Sequence, residues 1–99
     1  MAISCEERKE GNSVVIHVNG QFDFSVVQEF RAAYQDCQGK DIVVDFRGTE
    51  YIDSAGLGML LNMQTFLEQK DGDIRLINTM PQIKRVLVIA RFEKKFKIE

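Results

Sequence analysis

The sequence predicts a single α/β domain in which a mixed β-sheet combines an N-terminal hairpin with β-α repeats that pack helices on the sheet. Short runs rich in Val and Ile recur at residues 14–18, 42–46 and 74–77, and segments with apolar residues at helical spacing separate them. Residues 3–6 alternate apolar and polar side chains, as in a half-buried strand. A chain of 99 residues with 44% hydrophobic content suffices for one domain over residues 1–99.

The composition argues against partners that attract through bulk charge. Thirteen basic and fifteen acidic residues give a net charge of -2, which provides no general attraction to nucleic acid or to an anionic membrane. A basic cluster near the C terminus is interpreted as a solvated face, because Glu93 and Glu99 interrupt it. Its members are Arg91, Lys94, Lys95 and Lys97. Neither a signal peptide nor an apolar run of roughly 18 residues is present, so we expect a soluble cytoplasmic protein. We also expect the domain to be monomeric by itself.

Turn residues and helix-cap residues indicate where the predicted elements begin and end. Residues 10–12 carry a turn signal that joins strands 3–6 and 14–18 into an antiparallel hairpin. Ser25 and Gln28 fit a capping box that opens an amphipathic helix, which Gly39 ends. The strand that follows this helix must pair in parallel with the preceding one, through a right-handed crossover.

The second predicted helix, residues 57–67, is apolar on two faces. Leucines occupy one face, and Met59, Met63 and Phe66 occupy the other. The methionines either fill gaps in the core or form an adaptable surface for a partner, and the sequence leaves both interpretations open. Pro81 opens a third helix after a Thr79 cap. Its inward stripe is Ile83, Val86, Leu87 and Ala90, and residues 96–98 form a last strand.

Polar residues follow the ends of the predicted parallel strands. Because the carboxyl ends of parallel strands lie at one edge of a sheet, Asp23, Ser54 and Thr79 are expected to share that edge. Ser54 precedes a helix, where unpaired N–H groups favour negative charge. It is either the helix cap, or Asp53 is the cap and the Ser54 hydroxyl points outward from the first turn.

The sequence motifs offer little support for catalysis or for cofactor binding. Ile52 stands where the nucleophile elbow Gly-x-Ser-x-Gly needs glycine, and the lone histidine, His17, lies inside a strand. Gly56-x-Gly58 is too short for a nucleotide fingerprint, so these glycines allow either close approach of another surface or tight helix–sheet packing. We therefore expect neither a hydrolase nor a cofactor.

The two cysteines, Cys5 and Cys37, lack the spacing of a metal site, and no metal is expected. Each lies at an apolar position of its predicted element. Reduced, buried thiols are therefore expected for both residues.

Two motifs resemble those of the STAS family of anti-sigma factor antagonists. Asp53-Ser54-Ala55-Gly56-Leu57-Gly58, placed after a buried strand, is similar to the family's phosphorylation motif, and Gly20-Gln21-Phe22-Asp23 resembles its other signature. The element order agrees over essentially the whole chain. Little chain follows residue 98, so the terminal helix of many members is expected to be short or missing.

The resemblance implies that Ser54 accepts a phosphate and that Asp53 and Asp23 orient or polarise it. A serine kinase with a histidine-kinase-like ATPase fold would phosphorylate Ser54, and a PP2C-type phosphatase would reverse the modification. The unphosphorylated form would bind that anti-sigma factor kinase, and ATP and Mg²⁺ would belong to the kinase. The domain itself would not be an enzyme.

The expected partner surface surrounds Ser54. Phe22 or Phe24, Met59 and Met63 are expected to lie partly exposed there. The remaining predicted partner-binding residues are Gly56, Gly58 and Thr79. A constitutive STAS interaction module, a regulator of a non-sigma signalling target, and a small-molecule binder or minor enzyme remain the alternatives.

Overall fold

Five strands and three helices alternate in the computed structural model, which describes residues 2–8 and 11–99. The strands are β1 (Ile3–Arg8), β2 (Ser13–Phe22), β3 (Asp41–Ile52), β4 (Arg75–Ile77) and β5 (Lys97–Ile98). The helices are α1 (Val27–Tyr34), α2 (Ser54–Phe66) and α3 (Pro81–Ile89), with short 3-10 helices at Phe24–Val26 and Phe92–Lys94. None of the described helices has the length and apolar content that crossing a membrane requires.

The sheet follows chain order, β1-β2-β3-β4-β5. β1 pairs antiparallel with β2, and the remaining neighbours pair in parallel. This confirms the predicted mixed sheet with its N-terminal hairpin. Gly11 and Asn12 of the predicted hairpin turn both have positive φ, 84° and 52°, whereas residue 10 lies outside the described residues.

All three helices cover the same face of the sheet. Each crossover moves to the next strand in the same direction, so right-handed connections place every helix on one side. Alternation along β3 agrees, since Ile42, Val44 and Phe46 are buried, whereas Val43 and Asp45 are only half-buried. The core therefore lies between the helix layer and this face of the sheet.

β2 and β3 extend beyond the predicted strands, which ended at residues 18 and 46. Their pairing continues to Phe22 opposite Ile52, with irregular register between His17 and Asn19 and again after Gly20. Polar and glycine residues that suggest turns are tolerated here because bulges absorb the extra residues. The carboxyl ends of β2 and β3 therefore extend well beyond the end of β4.

The start of α1 corrects the predicted capping box. Asp23, rather than Ser25, provides the cap, and its Oδ1 accepts hydrogen bonds from the backbone N–H of Ser25 at 2.9 Å and from the Ser25 hydroxyl at 2.5 Å. A 3-10 turn follows, and α1 then begins at Val27 without a side-chain cap. The sequence pattern identified the helix but placed the cap at Ser25, two residues after Asp23, which caps the 3-10 turn that leads into α1.

The cysteines differ in burial. Cys37 is buried as expected, but Cys5 is exposed because β1 is an edge strand. Both thiols donate to the carbonyl oxygen of Ala33, at 3.4 Å for Cys37 and 3.7 Å for Cys5. Desolvation raises the pKa of both thiols, which favours the protonated and less reactive form.

Candidate functional site

Asp53 is the N-terminal cap of α2. Its Oδ1 accepts a hydrogen bond from the backbone N–H of Gly56 at 3.1 Å, and its carbonyl oxygen accepts from the N–H of Leu57 at 3.0 Å. Its backbone is extended, with φ -124° and ψ -172°, as a cap residue requires. Of the two arrangements that the sequence left open, the structure therefore has Asp53 as the cap.

Ser54 is consequently the first residue of α2, and its side chain is exposed. It begins a helix of 13 residues. Backbone N–H groups in this first turn carry partial positive charge, so an added anion is electrostatically favoured within the domain. The hydroxyl is thus accessible to another protein and placed where a phosphate would be tolerated.

Asp23 and Asp53 follow the ends of two neighbouring strands. Phe22 pairs with Ile52 in the parallel register of β2 and β3, so the next residue of each strand stands at the same edge of the sheet. The structure therefore brings the Asp23, Asp53 and Ser54 backbone positions together, as the parallel pairing predicted. Both carboxylates already accept backbone N–H groups at the start of a helix, which fixes the two loops around Ser54.

The two glycines after Ser54 have different surroundings. A β-carbon at residue 56 would stand 2.3 Å from the Phe22 carbonyl oxygen and 3.0 Å from Cγ1 of Ile52. A β-carbon at Gly58 would meet no atom within 4 Å. Gly56 therefore permits the close packing of α2 on the strand ends, whereas Gly58 leaves the helix surface bare.

The expected exposure of Met59 and Met63 is wrong. Met59 is 6% exposed and Met63 is fully buried, and both belong to the core. The physical reason is the rotation of α2. Because Gly56 must face the strand ends, the residues one turn further, at 59 and 60, and two turns further, at 63, face the sheet. The methionines fill gaps in the core, which was the other interpretation of the pattern.

The outward face of α2 is instead formed by Ser54, Leu57, Gly58 and Leu61, which we call the Ser54 face. At 100° per residue these positions fall within an arc of about 100°. Leu57 and Leu61 are only half-buried, although they pack against the edge of the core. Sequence reasoning missed these leucines as surface residues, but an exposed Ser54 together with the helical period would have identified them.

Of the two phenylalanines before α1, Phe22 lies in the core and Phe24 lies on the surface. Phe22 is fully buried and its ring packs edge-on against Phe30 and Phe46, with centroids 4.9 and 5.7 Å away. Phe24 is 74% exposed. Since Phe24 follows Asp23 directly, it provides an apolar side chain on the surface at the same edge of the sheet as Ser54.

Thr79 does not belong to this cluster. Its strand, β4, ends where Ile77 pairs with Asp45, and β3 continues from residue 46 to residue 52, roughly 20 Å further. The Thr79 hydroxyl donates to the carbonyl oxygen of Glu99 at 2.8 Å, and the cap position of α3 is Met80. Unequal strand lengths therefore separate Thr79 from Ser54, although both follow carboxyl ends of strands.

His17 lies in a polar network in the middle of the sheet. Its Nδ1 is 3.2 Å from Oδ2 of Asp45 and its Nε2 is 3.4 Å from Oε1 of Glu6. His17 lies inside β2, as expected, and its half-buried ring is hydrogen-bonded to side chains of the two neighbouring strands. Within residues 2–8 and 11–99, no three His, Cys, Asp or Glu side chains are grouped so that they could hold a metal ion.

Comparison with known proteins agrees with this fold and motif. The family model described as MlaB, STAS domain, matches residues 5–99. A STAS-domain containing protein of Pseudomonas aeruginosa is 37% identical over 100 residues, which cover 99% of each chain. The anti-sigma F factor antagonist of Paenibacillus polymyxa is 24% identical over 91 residues, or 88% of this chain and 78% of that protein.

Among solved structures, the anti-sigma factor antagonist SpoIIAA in its unphosphorylated form superposes with a TM-score of 0.79. The alignment has 24% identity and covers 99% of this chain and 88% of SpoIIAA. This similarity shows a shared fold. With the family model matching nearly every residue, the chain belongs to the STAS family and has the fold of an anti-sigma factor antagonist.

Proposed function

We propose that this STAS domain is a protein-binding switch controlled by phosphorylation of Ser54. In its unphosphorylated form it binds an anti-sigma factor that is also a serine kinase, and phosphorylation releases that partner. The observation that carries the proposal is the position of Ser54, exposed at the first residue of α2 because Asp53 provides the cap. The names of the Paenibacillus polymyxa relative and of SpoIIAA, both anti-sigma factor antagonists, support the choice of partner.

The binding surface combines the Ser54 face with Phe24. The surface is apolar because Leu57 and Leu61 are half-buried and Phe24 is 74% exposed, and the bare backbone at Gly58 lets a partner approach the helix closely. Gly56 serves the surface indirectly, because it allows α2 to pack against the strand ends. A small hydroxyl stands in the middle of this surface, where a larger anionic group would interfere with contact.

The switch acts through charge at the interface. Phosphate adds roughly -1.5 to -2 charges, which the N-terminus of α2 stabilises within the domain. Asp23 and Asp53 already place two carboxylates at the same edge. A partner that fits the hydroxyl would meet both steric bulk and an uncompensated negative cluster on binding the phosphorylated form.

In this proposal the partner proteins catalyse the phosphorylation and dephosphorylation of Ser54. The kinase has a histidine-kinase-like ATPase fold and supplies ATP and Mg²⁺, and a PP2C-type phosphatase removes the phosphate in the cytoplasm. Asp53 and Asp23 position Ser54 for both enzymes through their capping bonds. The domain by itself therefore incorporates no phosphate from Mg-ATP.

The test begins with the intact mass of the protein purified from its native cells. A gain of one phosphate, mapped to Ser54, is the expected result. The kinase that co-purifies with the unphosphorylated domain is then titrated by calorimetry against wild type, phosphorylated wild type, Ser54→Ala and Ser54→Asp. Phosphorylation should weaken binding about a hundredfold, or about 2.7 kcal/mol.

Matched variants decide whether the effect is specific. Ser54→Ala should bind persistently and Ser54→Asp weakly, whereas Ser4→Ala, at an exposed serine of β1 away from this edge, should behave as wild type and still switch. Equal affinities for the unphosphorylated, phosphorylated and Ser54→Asp forms would refute the switch. That result would leave a constitutive interaction module.

A regulator of a non-sigma target is the second candidate. The Pseudomonas aeruginosa relative, at 37% identity, is named only for its STAS domain, and the matching family model is described as MlaB. Neither description mentions a sigma factor. Identification of the protein that co-purifies with Ser54→Ala discriminates the two candidates, because only the first expects an anti-sigma factor.

A further inference from the structure

The exposed side of α3 carries an unusual share of apolar surface. Six large hydrophobic side chains are exposed in the described part of the chain, and three of them belong to α3 or its cap. They are Met80 and Val88, each 46% exposed, and Ile89, which is 74% exposed. The core side of the helix is complete without them, because Ile83 and Leu87 are buried.

Val88 and Ile89 each lie one helical turn after a basic side chain. Lys84 precedes Val88 by four residues and Arg85 precedes Ile89 by four, and all four side chains are exposed. At 100° per residue they occupy an arc of about 140° on the solvent side. With Arg91, which follows the helix, these residues form what we call the α3 surface.

The positive charge of this region is not compensated locally. Residues 80–98 contain six basic side chains and one acidic one, whereas the rest of the chain has seven basic and fourteen acidic residues. Elsewhere Arg8, Lys40 and Arg75 form ion pairs with glutamates. Among the described residues, none of the ion pairs includes a residue of the α3 surface.

Arg91 adds a conformational observation. It has φ 63° and ψ 33°, the left-handed region that usually holds glycine after a helix. A cation near the last turn is favourable for the helix dipole, but this does not require a side chain at a left-handed position. The sequence thus retains a strained, exposed arginine next to the most exposed aliphatic residue of α3.

From these observations we infer that the α3 surface docks an acidic segment of a partner protein that also carries apolar side chains. Carboxylates of the segment would pair with Lys84, Arg85 and Arg91, and its apolar residues would cover Val88 and Ile89. Charge complementarity identifies the partner's chemistry. Two adjacent aliphatic side chains between cations distinguish this surface from a merely solvated basic face.

The α3 surface is separate from the Ser54 face. α3 begins after the carboxyl end of β4 and leads to the amino end of β5, so Ile89 and Arg91 lie toward the edge opposite Ser54.

An anionic membrane is a less suitable partner for the α3 surface than an acidic protein segment. Outside residues 80–98 the molecule has a net charge of -7, from seven basic and fourteen acidic residues, which such a bilayer would repel.

Two synthetic peptides test the inference with the full chain. One is a helical acidic peptide with two leucines four residues apart between glutamates, and the other replaces both leucines with serine. The leucine peptide should bind wild type about tenfold more tightly in a fluorescence titration. Backbone amide shifts of residues 84–91 should move on binding.

Three variants separate the contributions. Ile89→Ser should abolish the preference for the leucine peptide, and Arg85→Glu should weaken both peptides and reduce the dependence of binding on salt. Lys70→Glu makes the same charge change at an exposed lysine in the turn before β4 and should change neither affinity. Ser54→Asp should also leave binding unchanged, so the result does not depend on the proposed switch.

Other outcomes would overturn the inference. Two results would show that binding is only non-specific charge attraction. One is equal affinity for the two peptides, and the other is an equal loss of affinity in Lys70→Glu and Arg85→Glu. Binding to phosphatidylglycerol vesicles that Ile89→Ser abolishes, without a preference for the leucine peptide, would assign the surface to a membrane. Self-association in sedimentation that Ile89→Ser abolishes would assign it to a second copy of the chain.

Discussion

Gly56 lies so close to Phe22 that a β-carbon at residue 56 would stand 2.3 Å from the Phe22 carbonyl oxygen and 2.9 Å from its ring. The carbonyl oxygen belongs to a paired strand and has little freedom to move. This contact sets the distance between α2 and the end of β2. It thereby fixes the rotation of α2 and the outward direction of Ser54.

We expect Gly56→Ala to lower the free energy of unfolding by about 1–3 kcal/mol, because the new methyl group forces the helix away from the strand. Gly58→Ala is the matched control. Its methyl group meets open space, and alanine should stabilise the helix interior by up to about 1 kcal/mol. Urea denaturation of both variants measures the difference, and equal effects would contradict the packing role of Gly56.

The assignment of the helix cap predicts different effects at neighbouring residues. Asp53→Ala should cost about 1 kcal/mol of stability, because the N–H of Gly56 loses its acceptor. Ser54→Ala should change stability by less than about 0.5 kcal/mol, as expected for an exposed side chain. Thermal denaturation of the two variants compares them, and a larger loss for Ser54→Ala would make serine the cap.

Leu61 and Met63 make a second pair with opposite expectations. Leu61 is half-buried on the Ser54 face, so Leu61→Glu should weaken binding of the co-purified partner at least about tenfold while the domain stays folded. Met63→Glu buries a charge in the core and should cost more than about 3 kcal/mol. Circular dichroism and calorimetry distinguish them, and a folded, non-binding Met63→Glu would reverse the two faces of α2.

Asp45 should give the stability a defined dependence on pH. Burial by itself would raise its pKa, but hydrogen bonds from the Asn78 side chain and the Arg47 backbone, together with His17, hold the pKa below its usual value. A carboxyl group with a lowered pKa in the folded state stabilises the protein above the unfolded value of about 3.9. This stabilisation is lost as the pH falls through the folded value.

Asn78→Ala removes a donor at 2.9 Å from Asp45. It should lower the free energy of unfolding by about 1–2 kcal/mol at pH 7. The loss should shrink as the pH falls below the unfolded value of about 3.9 and through the lower folded pKa of Asp45, where the carboxylate becomes protonated. Asn62→Ala, at an exposed asparagine of α2, should show no such dependence on pH in urea denaturation, and the same pH profile for both variants would contradict the assignment.

Local sequence signals identified nearly every element of the fold. Alternation in residues 3–6, the Val and Ile runs and the helical spacing after each run were sufficient for the element order. Parallel pairing then placed Asp23 and Ser54 at one edge without a structure. The same reasoning failed for Thr79, because it assumed strands of equal length, whereas β4 ends opposite Asp45 and β3 continues to Ile52.

The sequence by itself determined the class of fold, the order of strands and helices, and the motif at residues 53–58, because periodicity and turn chemistry act over a few residues. Tertiary structure decided whether Asp53 or Ser54 caps α2, how far β2 and β3 extend, and which face of α2 is exposed. Those features depend on contacts between residues distant in sequence, such as Phe22 with Gly56 and His17 with Asp45. Met59 and Leu61 are similar in hydrophobicity, and only the packing of the helix against the sheet separates core from surface.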